Sequence, residues 1–346
     1  MKKEKKIWGL YNIINKIIDF IHEKRIITYP ILIIFLLVLP KTGINSYLVR
    51  VMTVVGIYII LSLSLNLISG YTGQISIGHA GFYAIGAYTS ALLSLNFDFP
   101  FLLAMVSGGI VAGIFGLLLG LPTLRLSGTY LAVTTIGFCE VIRMILLNWE
   151  WLARGPLGLN KIPRPVFFGI KLTTFNGGYY YLIIVLVVIT TFVMYRIVNS
   201  KLGRALVSIR EDELAATLMG IKTTKYKVLA FTISSFFAGI AGSFYAHFMT
   251  YIDPNGFIFD ESVLMLSIVI LGGMGTLKGM FLGSALLVTL PELLRDLQEY
   301  RFVMYGVILV LMMRFRPQGV LGGQSKKPYQ LPKGIGSNVT KEGEAI

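Results

Sequence analysis

The chain has 346 residues, 55% of them hydrophobic and only 14% charged, against roughly 25% charged in an ordinary soluble domain. Its net charge of +14 would suggest nucleic acid in a soluble protein, but seven Lys/Arg against three Asp/Glu sit in the first 25 residues, six against three in 199–227, and six against two from Arg314 onward. Basic residues clustered beside apolar segments are the bias that holds loops in the cytoplasm, so this pattern argues against a nucleic-acid partner and for a membrane protein with three cytoplasmic segments.

The first 25 residues begin MKKEKK, yet Ile7 to Ile21 is broken by Asn12, Asn15, Lys16 and Asp19 and offers no small-residue cleavage site, so a cleaved signal peptide is not expected. Ile7, Leu10, Tyr11, Ile14, Ile17, Ile18 and Ile21 recur at three- and four-residue steps, which predicts an amphipathic helix on the cytoplasmic membrane face or against a partner helix. Apolar spans follow at 26–40, 48–69, 73–95, 100–121, 129–148, 179–198 and 226–250, and shorter pieces at 262–271, 279–294 and 302–314. No Asp, Glu, Lys or Arg occurs from Val51 to Phe97. At about 1.5 Å per residue that stretch crosses a ~30 Å hydrocarbon layer twice. Continuous apolar runs exclude a β-barrel, whose strands alternate.

With the N-terminus inside, six spans return the basic 199–227 segment to the cytoplasm, and the seventh sends Asp253, Asp260 and Glu261 outside. Three more crossings bring the basic tail back. The expected fold is therefore all-α, a polytopic transmembrane bundle of about ten spans, some of them broken. Residues 1–25 form the cytoplasmic amphipathic segment, 26–314 the transmembrane domain, and 315–346 a cytoplasmic basic tail.

Three constellations carry polar chemistry. Residues 66–88 read NLISGYTGQISIGHAGFYAIGAY, too rich in Gly and polar groups for a plain lipid-facing helix. Broken backbone is tolerated in a membrane where it lines a cavity. Gln74, Ser76 and His79 are thus candidates for a translocation path, the alternative being glycine packing around a satisfied histidine. In TTIGFCEVIRMILLN (134–148), Glu140 and Arg143 are three apart on one helical face; charges at that depth are costly, and a structural ion pair is expected. In SKLGRALVSIREDELAATLMGI (200–221), Asp212 is placed to cap a short helix starting at Glu213 and Gly220 to close it. Arg210 and the acids Glu211, Asp212 and Glu213 then form a charged knuckle suited to transmitting motion from a cytoplasmic partner, or a solvated turn. Gly109, Gly113, Gly116 and Gly120 share a helix face, a pattern for close packing within one subunit or between two.

The single Cys139 forms no intrachain disulfide, and His22, His79 and His247 lack ligand spacing, so no metal or cofactor is expected. There is no G-x-x-x-x-G-K-[ST] phosphate loop and no visible catalytic triad or carboxylate pair, so the chain is expected not to be an enzyme. If ATP drives it, another chain hydrolyses it.

Several blocks, in order, resemble one family: SLNLISGYTGQISIGHAGFYAIGAY ending at Tyr88, TTIGFCEVIRMILLN, RGPLGL (154–159), GRALVSIREDELAATLMGI (203–221), YKVLAFTISSFFAGIAGSFYA (226–246), VILGGMGTLKG (269–279), PELLR (291–295) and FRPQGVLG (315–322). The chain is similar to the LivM-type permeases of branched-chain amino acid ABC importers, which have urea-type relatives. The resemblance spans about Val49 to Gly322. It implies a heterodimer with a LivH-type permease, two cytoplasmic ABC ATPase subunits, an external substrate-binding protein, and a place among lipid in the cell inner membrane with both termini cytoplasmic. It further implies that 203–221 is the coupling segment, with Arg210, Glu211, Asp212, Glu213, Ala215, Ala216 and Gly220 meeting the ATPase. The path is assigned to Gln74, Ser76, His79, Thr134 and Thr135. The departures are Gly81 where Ala is usual, Cys139 where a smaller residue is commoner, and Thr217 where Glu is usual, which removes an acid from the docking face. A urea or short-amide cargo on the same architecture is the first rival reading. An ion-coupled secondary transporter is the second, disfavoured by the scarcity of acids in the spans. An intramembrane enzyme is the third, with only Glu140 and Arg143 as a polar pair.

Overall fold

A computed structural model describes residues 45–123, 128–167, 170–173 and 177–293, together with single residues near the C-terminus including 318–321. The amphipathic start, the 26–40 span, most of the 302–314 span and most of the basic tail fall outside the described residues.

The helices, in order, are α1 (Ser46–Asn66), which ends in a wider π turn (Leu67–Tyr71), α2 (His79–Asn96), α3 (Phe101–Thr123), α4 (Thr129–Asn148) and the single turn α5 (Glu150–Ala153). A two-residue ribbon pairs β1 (Val166–Phe167) antiparallel with β2 (Ile170–Lys171). Then come α6 (Gly178–Val198), α7 (Lys201–Glu211), α8 (Glu213–Leu218), α9 (Thr223–Met249), α10 (Phe259–Gly272) and α11 (Leu277–Leu293). Six helical segments among the described residues are long and apolar enough to cross a membrane. The chain is an all-α multi-pass membrane protein. One of the expected spans is modified. The 73–95 span becomes helical only at His79, because Gly73 turns the chain at a φ of +74°. Of the acids expected after the seventh span, Asp253 caps the turn Pro254–Gly256 and Asp260 and Glu261 lie in the first turn of α10. After α9 the chain folds back so that Asn255 meets Arg143 and the Phe257 carbonyl approaches Cys139, halfway along α4.

α9 is the axis of the bundle. At about 1.5 Å per residue its 27 residues extend roughly 40 Å, and it packs on α1, α2 and α3 through small residues. A Cβ added at Gly86 would lie 2.1 Å from the Gly239 carbonyl, and one at Gly242 would lie 2.0 Å from the Tyr83 carbonyl. Gly109, Gly113, Gly116 and Gly120 all face α9, so the stripe serves packing within the subunit. Small residues let backbones approach where lipid gives no hydrophobic driving force. Hydroxyls use the proximity: Ser243 donates to Gly86 O at 3.0 Å and Ser234 to Ser64 O at 2.5 Å. Gly86→Val is expected to cost about 3 kcal/mol or more, beyond ordinary overpacking because the obstacle is backbone. Gly113→Ala, where the nearest atom is 3.5 Å away, is expected to be tolerated. Thermal unfolding of the purified subunit complex checks both.

The faces of α3, α4 and α6 away from this axis carry exposed apolar side chains, among them Leu103, Val133, Val188 and Phe192. They suit hydrocarbon.

Candidate functional site

The interruption between α1 and α2 is built by its own side chains. Thr72 donates to Leu67 O at 3.0 Å and so closes the π turn, and the Gln74 amide returns to Ile68 O at 3.2 Å. The chain then runs without helix to His79. Here the Ile77 amide donates to Thr135 Oγ1 on α4 and the Ala80 amide to Ser262 Oγ on α10, both at 3.0 Å. These side-chain acceptors take up backbone donors that a helix start leaves unpaired. Gly78 permits the approach, since a Cβ there would stand 2.0 Å from the Thr135 carbonyl.

His79 is fully buried, with Nε2 at 2.8 Å from Ser64 Oγ. Ser64 donates its only hydroxyl proton to Leu61 O at 2.7 Å, so it accepts from His79. That fixes the proton on Nε2 and leaves Nδ1 as an acceptor. His79 Nδ1, Ser76 Oγ, Gln74 Oε1 and Ser69 Oγ are buried without a hydrogen-bond partner. Such groups are rare in native interiors, and four along one interruption single it out as a polar lining. Of the expected path residues, Gln74, Ser76, His79 and Thr135 meet at this break. Thr134 does not: its hydroxyl donates to Tyr130 O at 2.8 Å on a partly exposed side of α4.

A second break lies beside the first. Between α10 and α11 the backbone turns at Gly273 (φ +108°) and Gly275 (φ +80°). Asn66, at the end of α1, accepts from the Gly275 amide at 2.8 Å and donates to Thr276 O at 3.2 Å. Residues 318–321 cross the same place, with the Val320 amide on Leu271 O at 2.8 Å. Arg210, from the last turn of α7, reaches between the two breaks: it donates to Gly70 O at 2.5 Å and packs on Gly73 and Gly275. Its guanidinium thus joins α7 to both interruptions.

α8 is held as a rigid corner. Asp212 accepts from the Ala215 amide at 2.9 Å, and Gly220 ends the segment at a φ of +82°. Glu213 pairs with Lys227 of α9, whose side chain is otherwise buried, and Ala216 is buried beneath the helix. Among the residues that α8 and its flanks present outward are Glu211, Ala215 and three large apolar side chains, Leu214, Leu218 and Met219, exposed by 71%, 79% and 83%. These three were not singled out from the sequence, although Leu214 and Leu218 share a face by their i, i+4 spacing.

Glu140 and Arg143 stand 3.1 Å apart, and Arg143 also donates to Asn255 at 3.1 Å, which ties α4 to the turn after α9. Among the described residues no group of three or more His, Cys, Asp or Glu could hold a metal ion. His247 contacts Ser90 Oγ at 2.9 Å and Pro163 O at 2.7 Å, pinning α9 to α2 and to the 159–163 loop.

A family model described as the permease component of branched-chain amino acid transport systems matches residues 47–313. The high-affinity branched-chain amino acid permease protein LivM of Salmonella typhimurium is 42% identical over 295 residues, which covers 79% of this chain and 69% of that protein. LivM of Escherichia coli K12 is 40% identical over the same shares. LivH of Escherichia coli K12 is 25% identical over 297 residues, 77% of this chain and 91% of that one. No solved structure gives a match. The chain belongs to the family of permease components of branched-chain amino acid transport systems and is of the LivM type.

Proposed function

We propose that the chain forms half of the translocation path of an ATP-driven importer of leucine, isoleucine and valine. A LivH-type permease supplies the other half, two ABC ATPases dock on the cytoplasmic side, and an external binding protein delivers substrate. The observation that carries the coupling part of this reading is α8: a short, doubly fixed helix, outside the apolar spans, with Leu214, Leu218 and Met219 bared to water. Apolar side chains on a rigid corner are what a partner buries.

In this reading the α8 end of the bundle is cytoplasmic, as are both termini, the membrane is the cell inner membrane, and the crossings number about ten. Arg210, Glu211, Asp212, Glu213, Ala215, Ala216 and Gly220 serve the coupling, by different means. Glu211 and Ala215 touch the ATPase, Asp212, Glu213, Ala216 and Gly220 hold the helix, and Arg210 passes its displacement to the two breaks. Gln74, Ser76, His79 and Thr135 line the path. Glu140 with Arg143 is structural.

The cycle follows from alternating access. ATP-driven movement of the partner displaces α8, α7 moves with it, and Arg210 shifts the hinge regions at Gly70–Gly73 and Gly273–Gly275. The test is leucine uptake by proteoliposomes containing this chain, the second permease and the ATPases, with the binding protein on the substrate side. The expected result is ATP-dependent uptake. With Gln74→Ala and Ser76→Ala combined, uptake is expected to fall by about tenfold, the scale of two lost polar contacts to a desolvated substrate. Unchanged rate and preference in that variant would remove these residues from the path.

A further inference from the structure

Of the three helices whose outward faces carry apolar side chains, two carry little else. The exposed side chains described on α3 are all Leu, Val or Ile, and those on α6 are apolar from Val185 to Phe192, with Tyr195 and Arg196 following near its end. α4 differs at mid-depth. Glu140 is the twelfth of the 20 residues in the span Thr129–Asn148, about 12 Å from its end at ~1.5 Å per residue. Its side chain is nonetheless 38% exposed, and that of its partner Arg143 22%. Ionisable groups at that depth face protein or a water-filled cavity rather than lipid.

The turn after α9 meets the same constraint. Asn255 and Gly256 are exposed, although the Arg143 bond to Asn255 and the approach of Phe257 O to Cys139 hold this turn against the second half of α4. Non-helical backbone at that level is tolerated where protein or water covers it, not hydrocarbon.

Along α4, Tyr130, Thr134, Gly137, Val141 and Met144 follow at alternating four- and three-residue steps, the spacing of a seam between two helices. Thr134 is partly exposed, its hydroxyl satisfied on its own helix, and the other four are exposed. A Cβ added at Gly137 would meet nothing within 4 Å. This glycine therefore serves no packing inside the subunit, unlike those of α3 that close on α9. A small residue in the middle of an apolar stripe is what lets a second helix approach in a membrane.

We infer that this stripe of α4 is the surface that meets the second permease, with Glu140 and Arg143 at its edge. The inference rests on the importer reading above, which supplies the occupant: a LivH-type chain, related to this one and so with apolar helices of its own. Such a partner covers the stripe and, unlike lipid, brings polar groups or enclosed water to the Glu140 edge. On the inner side of α4, Thr135 accepts from the Ile77 amide, so a seam here sets the break between α1 and α2 one helix away from the subunit boundary.

The test uses the whole importer, with its binding protein, in proteoliposomes. If wild type imports no leucine on ATP addition, the importer reading fails and the inference with it. If it does import leucine, p-benzoylphenylalanine is placed singly at Val141 or Met144 of α4, at Ile110 of α3 and at Val188 of α6, and the complex is irradiated. The expected result is a product joining this chain to the second permease from the α4 positions and none from Ile110 or Val188. Joining to the second permease from Ile110 or Val188 overturns the surface and leaves the importer reading standing. So does an α4 product with a second copy of this chain or with another segment of the same chain, or the absence of any protein product from α4. In addition, Gly137→Trp is expected to reduce the second permease recovered with this chain by about tenfold or more, the scale of overpacking at a helix contact, and Ile110→Trp to leave it within about twofold. Equal recovery in the two variants overturns the inference.

Discussion

Replacing Leu214 and Leu218 together by Asp is expected to lower ATP-driven uptake by about 100-fold or more, through lost docking rather than lost folding. Both side chains are more than two-thirds exposed in the subunit, so the subunit alone loses little when they become polar. In a docked complex each leucine removed from water contributes about 1.5–3 kcal/mol, and a carboxylate in its place is buried without a partner. Together these amount to a weakening of about a thousandfold or more in the ATPase contact. The measurement is co-purification of the ATPases with the permease pair, beside uptake. Retained ATPase with lost uptake would place the two leucines in transmission rather than in docking.

Arg210→Ala is the second large effect, and its signature is uncoupling. Arg210 contributes a charged donor to Gly70 O and fills the space between Gly73 and Gly275. Its loss leaves α8 capped and exposed as before, so the ATPases dock and hydrolyse ATP. The linkage to both helix breaks is gone. A charge-assisted hydrogen bond of this kind contributes about 1.5–3 kcal/mol, so uptake per ATP hydrolysed is expected to fall by about tenfold or more. Arg210→Lys keeps a charge and one donor but lacks the planar fork and is expected to lie between. Equal loss of hydrolysis and uptake in Arg210→Ala would contradict a transmitting role. Removing the acids of the corner is a less clean experiment, because Asp212 caps α8 and Glu213 pairs with buried Lys227; their replacement unfastens the helix as well as its surface.

Much of this architecture is legible from residue order. Continuous apolar runs set α3, α4, α6 and α9 to within a few residues, because length and hydropathy dominate in a bilayer. Asp212 and Gly220 mark the two ends of α8 because capping is local chemistry. What resisted reading depends on side-chain direction or chain reversal. Arg210 belongs to the same charged run as Glu211, yet it turns inward to a carbonyl 140 positions away. Glu261 reads as a plain loop acid, since charge is the usual sign of a span's end, yet it opens α10 and accepts from the Tyr58 hydroxyl of α1. Leu214 and Leu218 are ordinary hydrophobic residues in a sequence full of them. Only the burial of Ala216 and the ion pair of Glu213, which fix the face of α8 that points inward, reveal that theirs points out.

The measurement that bears most directly on the central claim is leucine uptake by proteoliposomes holding this chain, its second permease and the ATPases, with ATP inside and the binding protein outside, run beside the Leu214→Asp/Leu218→Asp variant. The account predicts leucine accumulation that requires ATP and binding protein and disappears in the variant while the permease pair stays assembled. Accumulation without ATP, or full ATP-driven uptake in the variant, would contradict it.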